Sequence, residues 1–531
     1  MRQHRHTAPT VIPVVTVLLL AVVLCPAADR TVNSGVSPPA WTATWRQPIW
    51  GLPNGLLPAG PVQGNGDFGM TLQTNNRTGC IEYWLGLNSF WGIPPGVDNP
   101  TNQLNPAVAF PSQETVGTVR LCVLDSAFVN ASFFAEQRFA DSVVTARYTT
   151  ATNRTLTSRS LMHPVSKLLV TELELSGFEP GEVAPRLSLE SWTHTLWRNA
   201  TAAAAATSTG AGWNASSATH WFSRVAIPTN TASMVKRQLR VVVGTKVGSS
   251  GTGGAATSNW TALTNASHAD ARVGVKCVIT PGDHLKVTLV TAAATQLDLG
   301  DSSGSDVDFT ADPLPHTLAL LEHPSTCATT VATANTAYWR AYWGRASVSL
   351  PSQPNLERFW YVAQYMLSSV TRPSPARYGG SSFPGLWGPW ATAGWRPDPR
   401  GESIPWGGAY IIDYNTEGVL YGASSSNKLE QLSSYQDLIT AFLPTARTGA
   451  LATAKWASAN FANRNASLLK CVADSPNALH FPCGIAPFGI PSGDNGPSPG
   501  EKRNFPFILA YRYVAMIHQQ ESPRQARDNH E

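Results

Sequence analysis

Thr330-Val-Ala-Thr-Ala-Asn-Thr-Ala-Tyr-Trp-Arg-Ala-Tyr-Trp-Gly-Arg345 is where the character of the chain changes. Its aromatics Tyr338, Trp339, Tyr342 and Trp343 stand at i, i+1, i+4 and i+5, one face of a helix. Downstream the same spacing returns in Leu356, Phe359, Trp360, Ala363, Met366, Leu367 and Val370, and again from Leu429 to Leu443. Pro444 is expected to end that third helix, Ala446–Asn460 to form a fourth, and Phe507–His518, behind Asn504 as N-cap, a fifth. Upstream the pattern is different. Val119–Val123, Val143–Tyr148, Leu168–Leu175, Val241–Val243 and Leu285–Val290 are short β-branched or alternating runs between Gly, Asn, Ser and Pro, which reads as an all-β sandwich. Ala200–Ser217 and Gly248–Ser267, rich in Ala, Gly, Ser and Thr, are expected to be long surface loops. The fold class is therefore α+β and multidomain, with a β domain at 41–310, a linker helix at 325–350 and a helical domain at 351–531.

Composition narrows the function. The chain has 531 residues, of which only 14% are charged, against about 25% in an average soluble protein. Its 18 Trp and low charge exclude a disordered chain and a coiled coil. The net charge of +4, with no cluster of Lys or Arg, argues against a nucleic-acid partner. Arg2 and Arg5, the apolar run Val11–Leu24 and the small residues around Ala27 read as a signal peptide at 1–27. That run is shorter than the roughly 20 residues of a spanning helix. A secreted protein with no stable membrane span after cleavage is expected.

Two further features agree with export. Cys80, Cys122, Cys277, Cys327, Cys471 and Cys483 remain after the signal, an even number. Cys471 with Cys483 is the favoured disulfide, with Cys80–Cys122 and Cys277–Cys327 as weaker pairings. Glycosylation sequons fall at Asn76, Asn130, Asn153, Asn199, Asn214, Asn259, Asn265 and Asn465. No ligand spacing points to zinc, so no structural metal site is expected.

The densest chemistry lies in the long segment Thr371–Asp413 and just after it. Trp387, Trp390, Trp406 and Tyr410 offer flat rings that stack on the C–H faces of sugars. Asp413, Asn415 and Glu417 follow as groups that bind hydroxyls or activate water. The partner implied is an oligosaccharide or glycan.

Trp387-Gly-x-Trp390, Trp406-Gly-Gly and Asp413-Tyr-Asn-Thr-Glu417 together resemble the start of the catalytic domain of glycoside hydrolase family 95, the 1,2-α-L-fucosidase type. Tyr342-Trp343, Leu350-Pro351, Leu356-Glu357, Tyr365-Met366-Leu367 and Arg372-Pro373 resemble that family's linker and first barrel helix. Gly64-Asn-Gly-Asp-Phe-Gly69, Trp84 and Leu87–Trp91 resemble the opening of its β domain. The resemblance implies an N-terminal β super-sandwich, a helical linker and an (α/α)6 six-hairpin toroid. It implies inverting hydrolysis of an α-L-fucoside or related sugar without a cofactor. Asp413 and Asn415 fall where two asparagines of that family hold the attacking water. Asp413 departs from the pattern, and a carboxylate there can itself serve as general base. Trp387, Trp390, Trp406, Tyr410 and Glu417 would bind substrate. Too few helices follow Thr330 for twelve, so the toroid is expected to be incomplete, with its general-acid glutamate beyond Glu531, and the chain as given is not expected to turn over glycosides at a normal rate. The alternative is a secreted carbohydrate-binding protein without catalytic activity.

Overall fold

The computed structural model describes residues 41–49, 59–75, 79–92, 112–179, 182–183, 185–193, 209–226, 239–248, 256–267, 270–281, 285–299, 308–323, 327–372, 388–390, 408, 410–412, 415–460, 479, 481, 484–486 and 490–491. Among them no helix is long and apolar enough to cross a membrane. The segment 1–27 expected to be a signal peptide, the helix expected at Phe507–His518 and the pair Cys471 and Cys483 lie outside these residues, as do Asn76, Asn199 and Asn465.

The strands come first: β1 (Thr42–Trp45), β2 (Val62–Gly64), β3 (Phe68–Asn75), β4 (Cys80–Gly92), β5 (Ser112–Val123), β6 (Ser132–Arg138), β7 (Val144–Thr149), β8 (Thr155–Met162), β9 (Leu168–Ser176), β10 (Leu187–Thr193), β11 (Thr209–Asn214), β12 (Thr219–Val225), β13 (Arg240–Gly248), β14 (Ala256–Ser267), β15 (Asp270–Thr280) and β16 (Lys286–Thr295). One sheet runs β1-β6-β7-β8-β9-β16-β13-β12-β11, the other β14-β15-β10-β5-β4-β3-β2, with antiparallel pairing. The helices follow: α1 (Leu314–Glu322), α2 (Ala328–Trp343), α3 (Pro354–Val370), α4 (Asn415–Ser425) and α5 (Ser433–Asn460). A small sheet, β17 (Tyr410–Ile411), β18 (Gly484–Ala486) and β19 (Ile490–Pro491), interrupts them.

Side-chain period explains the layers. In β7, Val144, Ala146 and Tyr148 are buried while Arg147 points to solvent, the alternation of a half-covered strand. In β9, Leu168 through Thr171 are all buried, because this strand is covered on both faces. Leu169 and Leu173 join the core between the sheets, which also takes Leu85, Leu121, Leu189, Val241 and Leu289. Leu168 and Val170 face the other way, where they meet Leu321 of α1 and Val331 of α2.

The aromatic face of α2 does what its spacing promises. Trp339 stacks on Tyr365 of α3 with centroids 5.1 Å apart, and Trp343 Nε1 donates to the Phe139 carbonyl at 3.0 Å. Tyr365 in turn donates to the Val62 carbonyl at 2.7 Å. Buried Trp and Tyr rings usually find partners for their polar ends, and for Trp343 and Tyr365 these are main-chain carbonyls of the β domain.

Four expectations are corrected. Thr209–Asn214 and Ala256–Ser267 are strands, not surface loops. Their Ala, Gly and Asn have weak intrinsic β preference, but β12 and β15 offer ladders beside them. Pro444 does not end its helix, and α5 runs through it to Asn460. The buried stripe Ile439, Phe442, Ala446 and Ala450 continues across the proline, so packing outweighs the roughly 3 kcal/mol an interior proline costs. α1 lies in a segment where no helix was expected. Finally, Cys277 and Cys327 are not bonded to each other: Cys277 sits in the core on β15, its thiol pushed up to about 12 by burial, and Cys327 is exposed before α2.

The disulfide among the described residues joins Cys80 and Cys122, directly opposite each other on β4 and β5 and 42 residues apart in sequence. Closing a loop of that length restricts the unfolded chain by about 3–4 kcal/mol in the chain-entropy picture. A Cys80→Ser/Cys122→Ser variant is expected to lose about that much in urea titration, with the slope of the transition altered by the looser unfolded state.

Candidate functional site

The hairpin between β2 and β3 is the hub of the region. Asn65 shapes its turn: Oδ1 accepts from the amides of Phe68 at 2.8 Å and Asp67 at 3.3 Å, and Nδ2 donates to the carbonyls of Ser166 at 2.9 Å and His163 at 3.1 Å. Gly66 has φ +92°, and its amide donates to the Ser369 carbonyl at 2.9 Å. A Cβ on Gly66 would lie 2.7 Å from the Arg372 backbone nitrogen, and one on Gly69 would lie 2.8 Å from the Pro389 carbonyl oxygen. The glycines are therefore where two parts of the chain close on the turn: the end of α3 and the turn Gly388–Trp390. Gly66→Ala combines a left-handed backbone with a clash against main chain. It is expected to cost about 2–3 kcal/mol, and an unshifted denaturation midpoint would show the contact to be dispensable.

Arg372 fills the space beside the turn. Its guanidinium donates to the carbonyls of Pro164 at 2.8 Å and Ser368 at 3.2 Å and lies 4.1 Å over the Tyr338 ring. Burial lowers its pKa, with the neighbouring tyrosines acting the other way. Burial, and then the charge of Arg372, also lowers His163.

Further along the hairpin, Asp67 accepts from the Ser89 amide at 2.9 Å and pairs with Lys167 at 2.7 Å. Lys167 also reaches Asp298 at 2.8 Å and Ser89 Oγ at 3.3 Å. Burial acts to lower the ammonium, but the carboxylates of Asp298 and Asp67 outweigh it and hold its pKa raised. All three ammonium donors are used, so this triad fastens β3, β9 and the turn after β16.

The aromatic segment is tied to this platform. Trp390 Nε1 donates to the Gln63 carbonyl at 2.9 Å, and Gln113 Nε2 donates to the Gly388 carbonyl at 3.0 Å. Tyr410 meets Trp91 edge-on at 5.5 Å, and β17 pairs with β18. Burial, and then the charge on Asp67, pushes the Tyr410 hydroxyl well above its ordinary value. Both rings are covered, Trp390 at 8% exposure and Tyr410 at 0%. Their place is in the packing, where they hold the segment in position.

α4 starts at Asn415, just past the tied segment. Asn415 is exposed at the first position, Thr416 is buried and Glu417 is half-buried, its Oε1 accepting from Tyr435 at 3.0 Å. A carboxylate in a first turn is favoured by the helix dipole. α4 is pressed on α3 at Gly422, where a Cβ would lie 3.3 Å from Gln364 Nε2. Burial raises Asp437, on α5. Asp413, Trp387 and Trp406 lie outside the described residues. Of the site residues singled out from sequence, the structure thus shows Asn415 open to solvent, Glu417 half-buried and hydrogen-bonded, and Trp390 and Tyr410 buried. Gln63 and Gln113, which bond to the segment, carry no pattern that distinguishes them in sequence, whereas Asn65 and Arg372 fall in the Gly64–Gly69 and Arg372-Pro373 motifs quoted above. Among the described residues no group of three or more His, Cys, Asp and Glu side chains could hold a metal ion.

No family model and no curated protein matches the sequence. Among solved structures the chain is similar to a kojibiose phosphorylase from the human microbiome, with a TM-score of 0.46 and 9% identity over 83% of this chain and 54% of that one. It is also similar to a bacterial glucoamylase complexed with acarbose, at TM-score 0.36 and 9% identity over 77% of this chain and 54% of that one. A family 92 glycosyl hydrolase gives TM-score 0.33 and 11% identity over 81% of this chain and 62% of that one. The chain spans about half the length of the first two of these structures.

Proposed function

We propose that this chain is a secreted glycoside hydrolase of the six-hairpin kind, its β domain a super-sandwich and its helices part of an (α/α)6 toroid. The site is the segment Trp387–Glu417, and the substrate is an oligosaccharide carrying an α-L-fucosyl or related sugar. Asp413 and Asn415 hold and activate the attacking water, and the anomeric configuration inverts. Trp387 and Trp406 supply stacking faces. The observation that carries this reading is Asn415, exposed on the first turn of α4 directly after a segment fastened at Gly388, Trp390 and Tyr410. A positioned amide beside a carboxylate is what water activation needs, because a small error in geometry costs rate steeply.

The test is an assay of the full-length secreted protein, general acid included, against aryl glycosides and fucosylated oligosaccharides, with the first-formed anomer followed by NMR. Release of the inverted anomer supports the proposal. Sugar binding without turnover would replace it with the carbohydrate-binding reading, and neither binding nor turnover would overturn both.

A further inference from the structure

Among the described residues, β11 ends one sheet and β14 ends the other. The two ends meet: Trp213 of β11 stacks on Trp260 of β14 with centroids 6.5 Å apart and planes within 6°. Both strands present a feature that folded proteins usually avoid. Thr209-Gly-Ala-Gly-Trp-Asn214 and Ala256-Thr-Ser-Asn-Trp-Thr-Ala-Leu-Thr-Asn-Ala-Ser267 contain no Lys, Arg, Asp, Glu or Pro. Edge strands template pairing with another chain, and charges or prolines are the common guards. Here β14 has a bulge between Ser258 and Thr261, with Asn259 at φ 53°. Trp213 remains 38% exposed. In place of charges these strands carry sequons: Asn214-Ala-Ser216, Asn259-Trp-Thr261 and Asn265-Ala-Ser267. Asn214 and Asn259 are exposed, and each is next in sequence to one of the stacked tryptophans. On the outer face of β11, Trp221 lies over Gly212, and Asn214 is its diagonal neighbour across the ladder.

We propose that N-glycans on Asn214 and Asn259 are the guard of this uncharged double edge, covering Trp213 and Trp221 and blocking the free ladder of β14 against a second chain. The inference rests on the reading of the chain as a secreted glycoprotein. The sugar donor is a lipid-linked oligosaccharide diphosphate of the secretory pathway. The asparagine amide nitrogen attacks the anomeric carbon, the new N–C bond replaces the C–O bond to phosphate, the amide proton is lost to base, and the lipid diphosphate leaves with the electron pair.

The protein, secreted from a eukaryotic host, is mapped by glycopeptide mass spectrometry, and its aggregation on mild heating is followed by light scattering. Ser216→Ala/Thr261→Ala removes both acceptors while keeping the asparagines. Ser132→Ala/Thr155→Ala removes the sequons at Asn130 and Asn153 and controls for the loss of two glycans. The proposal expects occupancy at Asn214 and Asn259 and severalfold more scattering from the edge variant than from the control. It also expects restoration by Ser258→Lys, which places a charge on the exposed side of β14. A cooperative melt in all variants separates edge pairing from misfolding. No glycan on any sequon overturns the glycoprotein reading and this proposal with it. Occupied sites with equal scattering from both variants, or no rescue by Ser258→Lys, overturn this proposal alone.

Discussion

Arg224→Ala is expected to lower the stability of the protein by about 3–5 kcal/mol. Arg224 of β12 and Glu114 of β5 belong to opposite sheets and pair at 2.7 Å with side chains 1% exposed. Arg224 also donates to Thr115 Oγ1 at 3.1 Å and lies 5.6 Å from the centre of the Phe90 ring. Burial pushes the Glu114 carboxyl up to about 7 even with Arg224 pulling it down. Burial likewise lowers the Arg224 pKa, so each ion depends on the other. Without the guanidinium, the carboxyl must stay protonated or remain a bare buried charge. The sign of the pH dependence follows. Its folded value lies above the ordinary 4.5, so the native chain keeps a proton that the unfolded chain releases. That contribution is full below about 4.5 and lost as pH rises through the folded value, and in Arg224→Ala the loss extends to higher pH. Urea titrations at several pH values read both effects. A double replacement, Glu114→Leu/Arg224→Met, removes both charges and is expected to recover most of the loss. A single-variant loss under 1 kcal/mol would mean that water reaches the pair.

In the proposed reaction, Asp413→Ala is expected to reduce kcat by about 10²–10⁴-fold, equivalent to about 3–5 kcal/mol of barrier. Asn415→Ala should fall in the same range with KM little changed, because both groups act on water rather than on the bound sugar. Asp413→Asn separates the two ways of handling that water. If the carboxylate is the base, the amide cannot replace it, and the basic limb of the pH profile goes with the activity. If position 413 only orients the water, as the family resemblance implies for asparagine, the variant keeps most of its rate. Full activity in Asp413→Ala would move the site elsewhere.

What was legible in the chain depended on how local its cause was. The short strands and the helices α2 and α3 follow from residues whose period matches their element, such as Val144-Ala146-Tyr148 and Tyr338-Trp339-Tyr342-Trp343. The segments of β11 and β14 read as loops because Ala, Gly, Ser and Asn dilute their few strand-favouring Thr and Trp, and the ladder is supplied from outside. Pro444 was misread because one local rule was weighed against a stripe of buried side chains extending on both sides of it. α1 carried a weak signal, Thr317 and Leu321 at helical spacing, in a segment too short to stand out. At the candidate site the acidic and amide cluster was legible as residue types. The burial of Trp390 and Tyr410 was not, since nothing in a tryptophan's neighbours in sequence tells whether its ring faces solvent or a distant sheet.

That distance has a consequence in time. The Gln63 carbonyl receives its bond from Trp390, 327 residues later, and the Val62 carbonyl receives one from Tyr365, 303 residues later. At a synthesis rate of about 5–20 residues per second, the ribosome takes roughly 15–65 seconds to bring Trp390 out after Gln63. For that interval the Gln63 carbonyl waits for its donor, while Val62 beside it is already held by the Gln137 side chain, on a nascent chain that has already made most of both sheets. The last steps of assembly are thus set by translation rather than by the intrinsic speed of the β domain, and a pause before residue 390 lengthens the exposure directly.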